Sequence, residues 1–132
     1  MNVTTIEQSK HLLELGLKPE SADLFYSIYR DPICGFSGYE VLDFVSNWKT
    51  AWGDRPTTDI FDENNIPAWS LAALEKVMPS FQSNKYVGKY NYEFIKDEWS
   101  NGPDYKTDNY DNPIDSAYEM ICWLLENKYI KP

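Results

Sequence analysis

The sequence is poor in the residues on which most catalytic and metal sites depend. Its 132 residues include one histidine, His11, and two cysteines, Cys34 and Cys122. A nucleophile–histidine site would have to use His11, which falls on the polar side of a predicted helix. One histidine and two separated cysteines do not form a usual zinc ligand set. We therefore expect no metal, no other cofactor and no enzymatic activity.

Long apolar runs are also missing. No stretch approaches the roughly 20 apolar residues that a transmembrane helix requires. The first residues, Met1 to Glu7, lack the basic and apolar regions of a signal peptide. In a cytoplasmic protein the two cysteines would be reduced, although a disulfide between them stays open because a sequence gives no distance. We expect a cytoplasmic protein that does not bind membranes.

Basic residues are few. Twelve Lys and Arg face 21 Asp and Glu, which gives a net charge of −9 and argues against direct binding to nucleic acid. Six acids lie within about twenty residues: Asp97, Glu98, Asp104, Asp108, Asp111 and Asp115. They lack the spacing of an EF-hand, and we interpret them as a solvated strand edge. A carboxylate pair for glycoside hydrolysis and an acidic imitation of nucleic acid are the alternatives.

The C-terminal stretch predicts the central helix of the fold. Asn112 is a suitable N-cap, and Pro113 suits the first helical position. Apolar residues then recur at helical spacing, at Ile114, Ala117, Tyr118, Ile121, Leu124 and Leu125. Because this apolar arc is wide, we expect the helix to contact more than the predicted sheet alone.

Three further helices are predicted upstream. The first follows a capping box from Thr4 to Glu7, and a short helical turn begins at Pro19. The second spans about 41–52, with Val41, Phe44, Val45, Trp48 and Trp52 on one face. The third follows Ser70 and ends before Pro79. Periodicity does not decide whether Leu24 to Tyr29 is helical or extended.

The period changes to two after residue 84. Tyrosines at 86, 90 and 92 and Phe94 alternate with mostly polar residues, as in half-buried antiparallel strands. Asn101-Gly102 predicts a turn that pairs residues near 91–99 with residues near 104–110. The predicted fold is therefore α+β: one domain with a small antiparallel sheet of about three strands (~84–110), packed by about four helices.

Aromatic residues supply the candidate binding sites. Trp123 falls on the polar side of the last helix with Ser116, Glu119, Glu126 and Asn127. It either packs against a second layer, such as residues 30–65, or forms an interface together with Glu119 and Glu126. Trp69, Trp99 and Tyr105 are the candidates for an aromatic cleft, although most aromatic residues are expected in the core.

Three blocks of sequence are similar to a known group of proteins. They begin at Thr5 (TIEQSKHLLELGL), Ile66 (IPAWSLAAL) and Ala117 (AYEMICWLLEN). Together they resemble an uncharacterised family of small acidic proteins from gut bacteria and their phages or mobile elements. The resemblance implies a cytoplasmic, phage-linked protein and supplies no catalytic residue. The segment from about Arg30 to Asn65 departs from the shorter pattern of that family.

These observations favour a non-enzymatic intracellular protein that binds another protein or serves as an accessory factor. The alternative is a binder of small molecules or glycans that uses an aromatic cleft with an acidic rim. A lower alternative is an acidic mimic of nucleic acid. The sequence leaves the identity of the partner and self-association into a homo-oligomer open.

Overall fold

Two small sheets and three α-helices form the described part of the chain. The computed structural model describes residues 2–30, 37–45, 65–96 and 102–130. The helices are α1 (Ile6–Glu14), a 3-10 turn (Pro19–Ser21), α2 (Leu71–Val77) and α3 (Pro113–Glu126). The strands are β1 (Leu24–Arg30), β2 (Ser37–Phe44), β3 (Asn65–Ala68), β4 (Phe81–Tyr86), β5 (Lys89–Phe94) and β6 (Tyr105–Lys106). The predicted α+β class is confirmed. The prediction of one sheet and about four helices differs from the two sheets and three α-helices of the described residues.

The first sheet includes residues 41–44, where the sequence predicted a helix. Its strand order is β2-β1-β3, and all pairs are antiparallel. Leu24 pairs with Phe44 and with Ala68, so β1 is the central strand. The predicted helix over 41–52 is therefore wrong as far as Phe44, because pairing with β1 outweighs a short helical period. Residues 46–52 lie outside the described ranges.

The second sheet has the order β4-β5-β6 and is also antiparallel. β4 and β5 form a hairpin whose two turn residues, Val87 and Gly88, both have positive φ, 51° and 75°. This turn was not predicted, since residues 86–94 follow one alternating pattern in the sequence. The predicted pairing of 91–99 with 104–110 holds between Phe94 and Tyr105, while Asn101 lies outside the described residues.

The start of α1 is shifted by one residue from its prediction. Thr5, and not Thr4, is the N-cap: its hydroxyl accepts from the Gln8 N–H, and the Gln8 side chain accepts from the Thr5 N–H. Thr4 is instead fully buried, with its hydroxyl within 2.8 Å of the Ser9 hydroxyl. Thr4 therefore belongs to the core and not to the helix cap.

The core is built around α3, as the pattern of its apolar residues predicted. Asn112 caps the helix by accepting from the Ile114 N–H, with Pro113 in the first turn. α3 packs against β5, α2 and α1. Because these neighbours surround it, even Ser116, which was predicted on the polar side, is buried. Its buried residues are Ile114, Ser116, Ala117, Met120, Ile121, Leu124 and Leu125.

α2 begins where the sequence predicted. The Ser70 hydroxyl accepts from the Ala73 N–H and caps the helix. Asp23 accepts hydrogen bonds from the backbone N–H of Ser70, at 2.9 Å, and from its hydroxyl. This carboxylate ties the start of the first sheet to the helix that packs on α3.

Candidate functional site

Three aromatic rings are stacked on the side of α3 that carries Trp123. The Trp123 ring lies nearly parallel to the ring of Tyr105, with centroids 4.5 Å apart. It is also stacked with Tyr129, at 5.5 Å and an interplanar angle of 16°. We call Tyr105, Trp123 and Tyr129 the aromatic stack. The buried ring of Phe94 lies beneath it, 5.7 Å from Trp123 and 4.8 Å from Tyr129.

The stack is partly open to solvent. Trp123 and Tyr105 are half-buried, and Tyr129 is 39% exposed. Lys96 places its Nζ 5.7 Å from the centre of the Tyr129 ring, within reach of a cation–π contact. The rings are therefore held by neighbours from β5, β6 and the residues after α3, and they still present a surface.

A carboxylate next to the stack is fully engaged. Glu119 Oε2 accepts from the Tyr105 hydroxyl at 2.8 Å, and its Oε1 accepts from the Tyr110 hydroxyl at 2.6 Å. The backbone N–H of Asp108 donates to Oε2 at 3.3 Å. Glu119 thus positions Tyr105 against Trp123, which lies one helical turn further along α3.

The two phenols bound to Glu119 are held in their neutral form. The hydrogen bond to Glu119, followed by burial, raises the pKa of Tyr110 from 10.0 to about 12. Burial, followed by the same carboxylate, raises the pKa of Tyr105. A phenolate would lose the hydrogen bond and would face a carboxylate of the same charge. Neither tyrosine is therefore prepared to act as a base near neutral pH.

These shifts predict a loss of stability in alkali. Above pH 10 the unfolded chain releases phenolic protons that native Tyr105 and Tyr110 still hold, so the free energy of unfolding falls as pH rises through 10 toward 12. Urea midpoints should begin to decrease near pH 9, where the Cys122 thiol of the unfolded chain ionises while the native thiol, with its pKa raised to about 11, does not, and should decrease more steeply above pH 10. Tyrosinate absorbance gives the matching titration.

Two glutamate variants separate the sources of this effect. Glu119→Gln removes the charge beside Tyr105 and Tyr110 and should lower both pKa values toward 10.0. Glu75→Gln is the matched control, because Glu75 accepts from Tyr92 at 2.7 Å and raises its pKa instead. If both variants titrate like the wild type, Glu119 does not hold the two phenols as described.

The structure brings only some of the predicted site residues together. Trp123 and Glu119 lie in the stack and its network, and Glu126 is exposed at the end of α3. Of the predicted cleft, Tyr105 belongs to the stack. Trp69 is fully buried and offers no ring face to a ligand, while Trp99 lies outside the described residues. Among the described residues Trp123 contacts the second sheet through Tyr105 and Phe94. Its packing on residues 30–65 stays a prediction, because most of that segment lies outside the described ranges.

Tyr129, Tyr110 and Lys96 were missed by the sequence analysis. Tyr129 follows the end of α3, so helical periodicity does not relate it to Trp123. Lys96 and Tyr110 flank β5 and β6, whose pairing depends on long-range contacts. A local signal for these contacts is missing from the sequence.

Other kinds of site are not formed by the described residues. No group of three or more His, Cys, Asp or Glu side chains among them could hold a metal ion. None of the described helices is both long and apolar enough to cross a membrane. Cys122 is a free thiol whose pKa burial raises to about 11, and Cys34 lies outside the described ranges.

Comparisons with known proteins give no match. No family model, no curated protein and no solved structure is similar to this chain at a significant level.

Proposed function

We propose that this chain is a non-enzymatic, intracellular protein-interaction or accessory protein that contacts its partner through the aromatic stack. The observation behind this proposal is the stacking of Trp123 on Tyr105 and Tyr129 at the surface. Trp and Tyr are enriched among the residues that dominate binding energy at protein interfaces. A phage or mobile-element role is part of the proposal and draws on the sequence resemblance alone.

Preorganisation supports this use of the rings. Each ring of the stack is already fixed by its neighbours, so binding would cost little additional side-chain entropy. Phe94 supports the stack from the core, and Glu119 orients Tyr105. A partner would thus meet a preformed, partly exposed aromatic surface with Glu126 exposed on the same helix.

The chemistry of Glu119 favours binding over catalysis. A carboxylate that acts as a general acid or base needs an oxygen that can reach the proton of the reacting group. Both carboxylate oxygens of Glu119 already accept hydrogen bonds from tyrosine hydroxyls. We assign Glu119 a structural role in which it holds the surface in shape.

A pair of matched aromatic variants tests the proposal. Tyr129→Ala removes the most exposed ring of the stack, and Phe44→Ala removes a ring of similar exposure, 47% against 39%, from the first sheet. We expect Phe44→Ala to retain the partner that the wild type captures from a lysate of its source cell. Tyr129→Ala should weaken retention at least tenfold, about 1.4 kcal/mol.

The readout must separate loss of binding from loss of folding. Circular dichroism and melting of both variants should match the wild type to within about 1 kcal/mol, since both rings are partly exposed. Equal capture of every protein by the wild type and Tyr129→Ala would contradict the proposal. If the retained partner binds nucleic acid, the acidic-mimic alternative would gain support instead.

A second candidate function has its own observation. A cavity of about 220 Å³ lies between the β4–β5 hairpin and α2, and its lining includes Glu75, Asn84, Tyr90 and Asn91. Its volume is below the roughly 300–1,000 Å³ of most ligand pockets, so we rank small-molecule or glycan binding second. A ligand there would shift the NMR signals of Tyr90 and Asn91 and leave those of Trp123 unchanged.

A further inference from the structure

β4 leaves one edge of the second sheet open. It is the first strand in the order β4-β5-β6, and five of its six residues are exposed. Natural edge strands are usually protected by charges, bulges or shortness. β4 instead pairs with β5 along all six residues, and its single charged residue is Lys85. Such an edge is suited to receive another strand.

The hydrogen bonds of β5 show which groups of β4 face this edge. Tyr90 exchanges both backbone hydrogen bonds with Tyr110, at 2.7 and 2.9 Å, and the Thr107 N–H donates to the Tyr92 carbonyl at 2.9 Å. The backbone groups of Tyr90 and Tyr92 therefore point away from β4. Because backbone direction alternates along a strand, the residues between and beside them point toward β4.

The register then assigns the outward groups of β4. Asn91 and Glu93 point toward β4 and pair with Asn84 and Gln82, so these two residues of β4 point inward. The alternate residues Phe81, Ser83 and Lys85 direct their backbone N–H and C=O groups at the open edge. These three residues are exposed, and none has a backbone partner at this edge among the described residues.

We propose that two copies of this chain associate through β4, antiparallel, about a two-fold axis at Ser83. The two three-stranded sheets would become one continuous sheet of six strands. In this register Ser83 faces the partner's Ser83, and Phe81 faces the partner's Lys85. All three outward residues of each copy then meet outward residues of the other, which is the requirement of a closed two-fold contact.

The side chains are complementary in this register. Lys85 Nζ already lies 5.4 Å from the centre of the Tyr90 ring, and the partner's Phe81 would offer it a second aromatic face. On the opposite face, Gln82 would lie across from the partner's Asn84. The strand has no acidic residue, and the two-fold axis keeps Lys85 away from the partner's Lys85.

A row of amides ends at the same edge. The Asn84 Nδ2 donates to Asn91 Oδ1 at 3.0 Å, and the Asn91 Nδ2 donates to Asn109 Oδ1 at 2.8 Å. This row crosses the sheet from strand to strand. Pairing of β4 with its copy would place the partner's Gln82 next to Asn84 and continue the row. Stacked amide rows of this kind stabilise strand pairing.

The hairpin tip adds apolar area to the contact. Tyr86 is 77% exposed and Val87 is 82% exposed. Continuing the same register places them against the partner's Ser80 and the partner's Pro79. A second copy thus covers residues that a monomer leaves in water. Two chains of net charge −9 repel each other at long range, so added salt should strengthen the dimer.

A charge swap at Ser83 tests both the surface and the register. Because the axis places residue 83 opposite itself, Ser83→Glu and Ser83→Lys each bring like charges face to face and should weaken the dimer at least tenfold. An equimolar mixture should form a heterodimer, since the two charges are then opposite. Sedimentation equilibrium over a range on the order of 1 µM to 1 mM measures each case.

The native fold of a single copy should tolerate these variants. Ser83 is exposed, and its backbone groups are not used in pairing with β5. Wild-type dimerisation that is lost in each variant and restored in the mixture supports the proposal. A wild type that stays monomeric at 1 mM would overturn it. So would a dimer that both variants leave unchanged, because that dimer would use another surface.

Discussion

Replacing Trp69 with alanine should cost about 3–5 kcal/mol of folding free energy. The side chain is fully buried among α1, α2 and α3 residues of the core cluster. Its Nε1 also donates to the Ser21 hydroxyl at 2.9 Å. Since domains of this size are stable by about 5–15 kcal/mol, the loss is a large share of the total. Urea unfolding followed by circular dichroism measures it.

Two variants divide the loss into its parts. Trp69→Phe keeps most of the ring volume and loses the hydrogen bond to Ser21, so it should cost less than Trp69→Ala. Ser21→Ala removes the same hydrogen bond from the other side, together with the bond that the Ser21 hydroxyl donates to the Lys18 carbonyl at 2.6 Å, and should cost about 0.5–1.5 kcal/mol for each bond. A Trp69→Ala protein within 1 kcal/mol of the wild type would show that this tryptophan is not the core residue described.

Replacing Thr4 with valine should cost about 2–4 kcal/mol, although the two side chains have nearly the same shape. The Thr4 hydroxyl contacts the Ser9 hydroxyl at 2.8 Å and accepts a hydrogen bond from the backbone N–H of Trp69 at 3.0 Å. Thr4 and Ser9 are both fully buried, as is Trp69. Valine would leave the two partners without a hydrogen bond, and each such buried group costs about 1–3 kcal/mol.

Thr4→Ser is the matched control for this prediction. It keeps the hydroxyl and loses one methyl group, so it should cost about 1 kcal/mol. Denaturant midpoints of the two variants can be compared directly because neither changes the charge. If Thr4→Val proves as stable as Thr4→Ser, the buried hydroxyl is not the element that joins the N-terminal segment to Trp69.

Local signals predicted the helix ends well. Ser70 caps α2, and Asn112 with Pro113 begins α3, because a cap depends on residues that are neighbours in the chain. The buried face of α3 was predicted from the spacing of its apolar residues, which is also a local property of the chain. At α1 two adjacent threonines both fit a capping box, and the choice between Thr4 and Thr5 depends on the distant Trp69.

Long-range contacts account for what the sequence did not predict. Residues 41–44 fit a helical period, yet they pair with β1, which lies earlier in the chain. The aromatic stack likewise combines Trp123 of α3 with Tyr105 of β6 and with Tyr129, beyond the helix. Composition revealed many aromatic residues, but it could not assign them to one surface.

The turn between β4 and β5 has a consequence for the stability of the hairpin. Val87 has φ of 51°, a conformation that β-branched residues rarely adopt, and asparagine before Gly88 would suit this type of turn far better. The chain therefore keeps a costly apolar residue at an exposed position where a cheaper polar one would improve folding. Proteins tend to retain such local strain where function requires it. A residue that tolerates positive φ at position 87 would therefore stabilise the hairpin, so the exposed tip is a place where the folding free energy of the chain is below its attainable maximum.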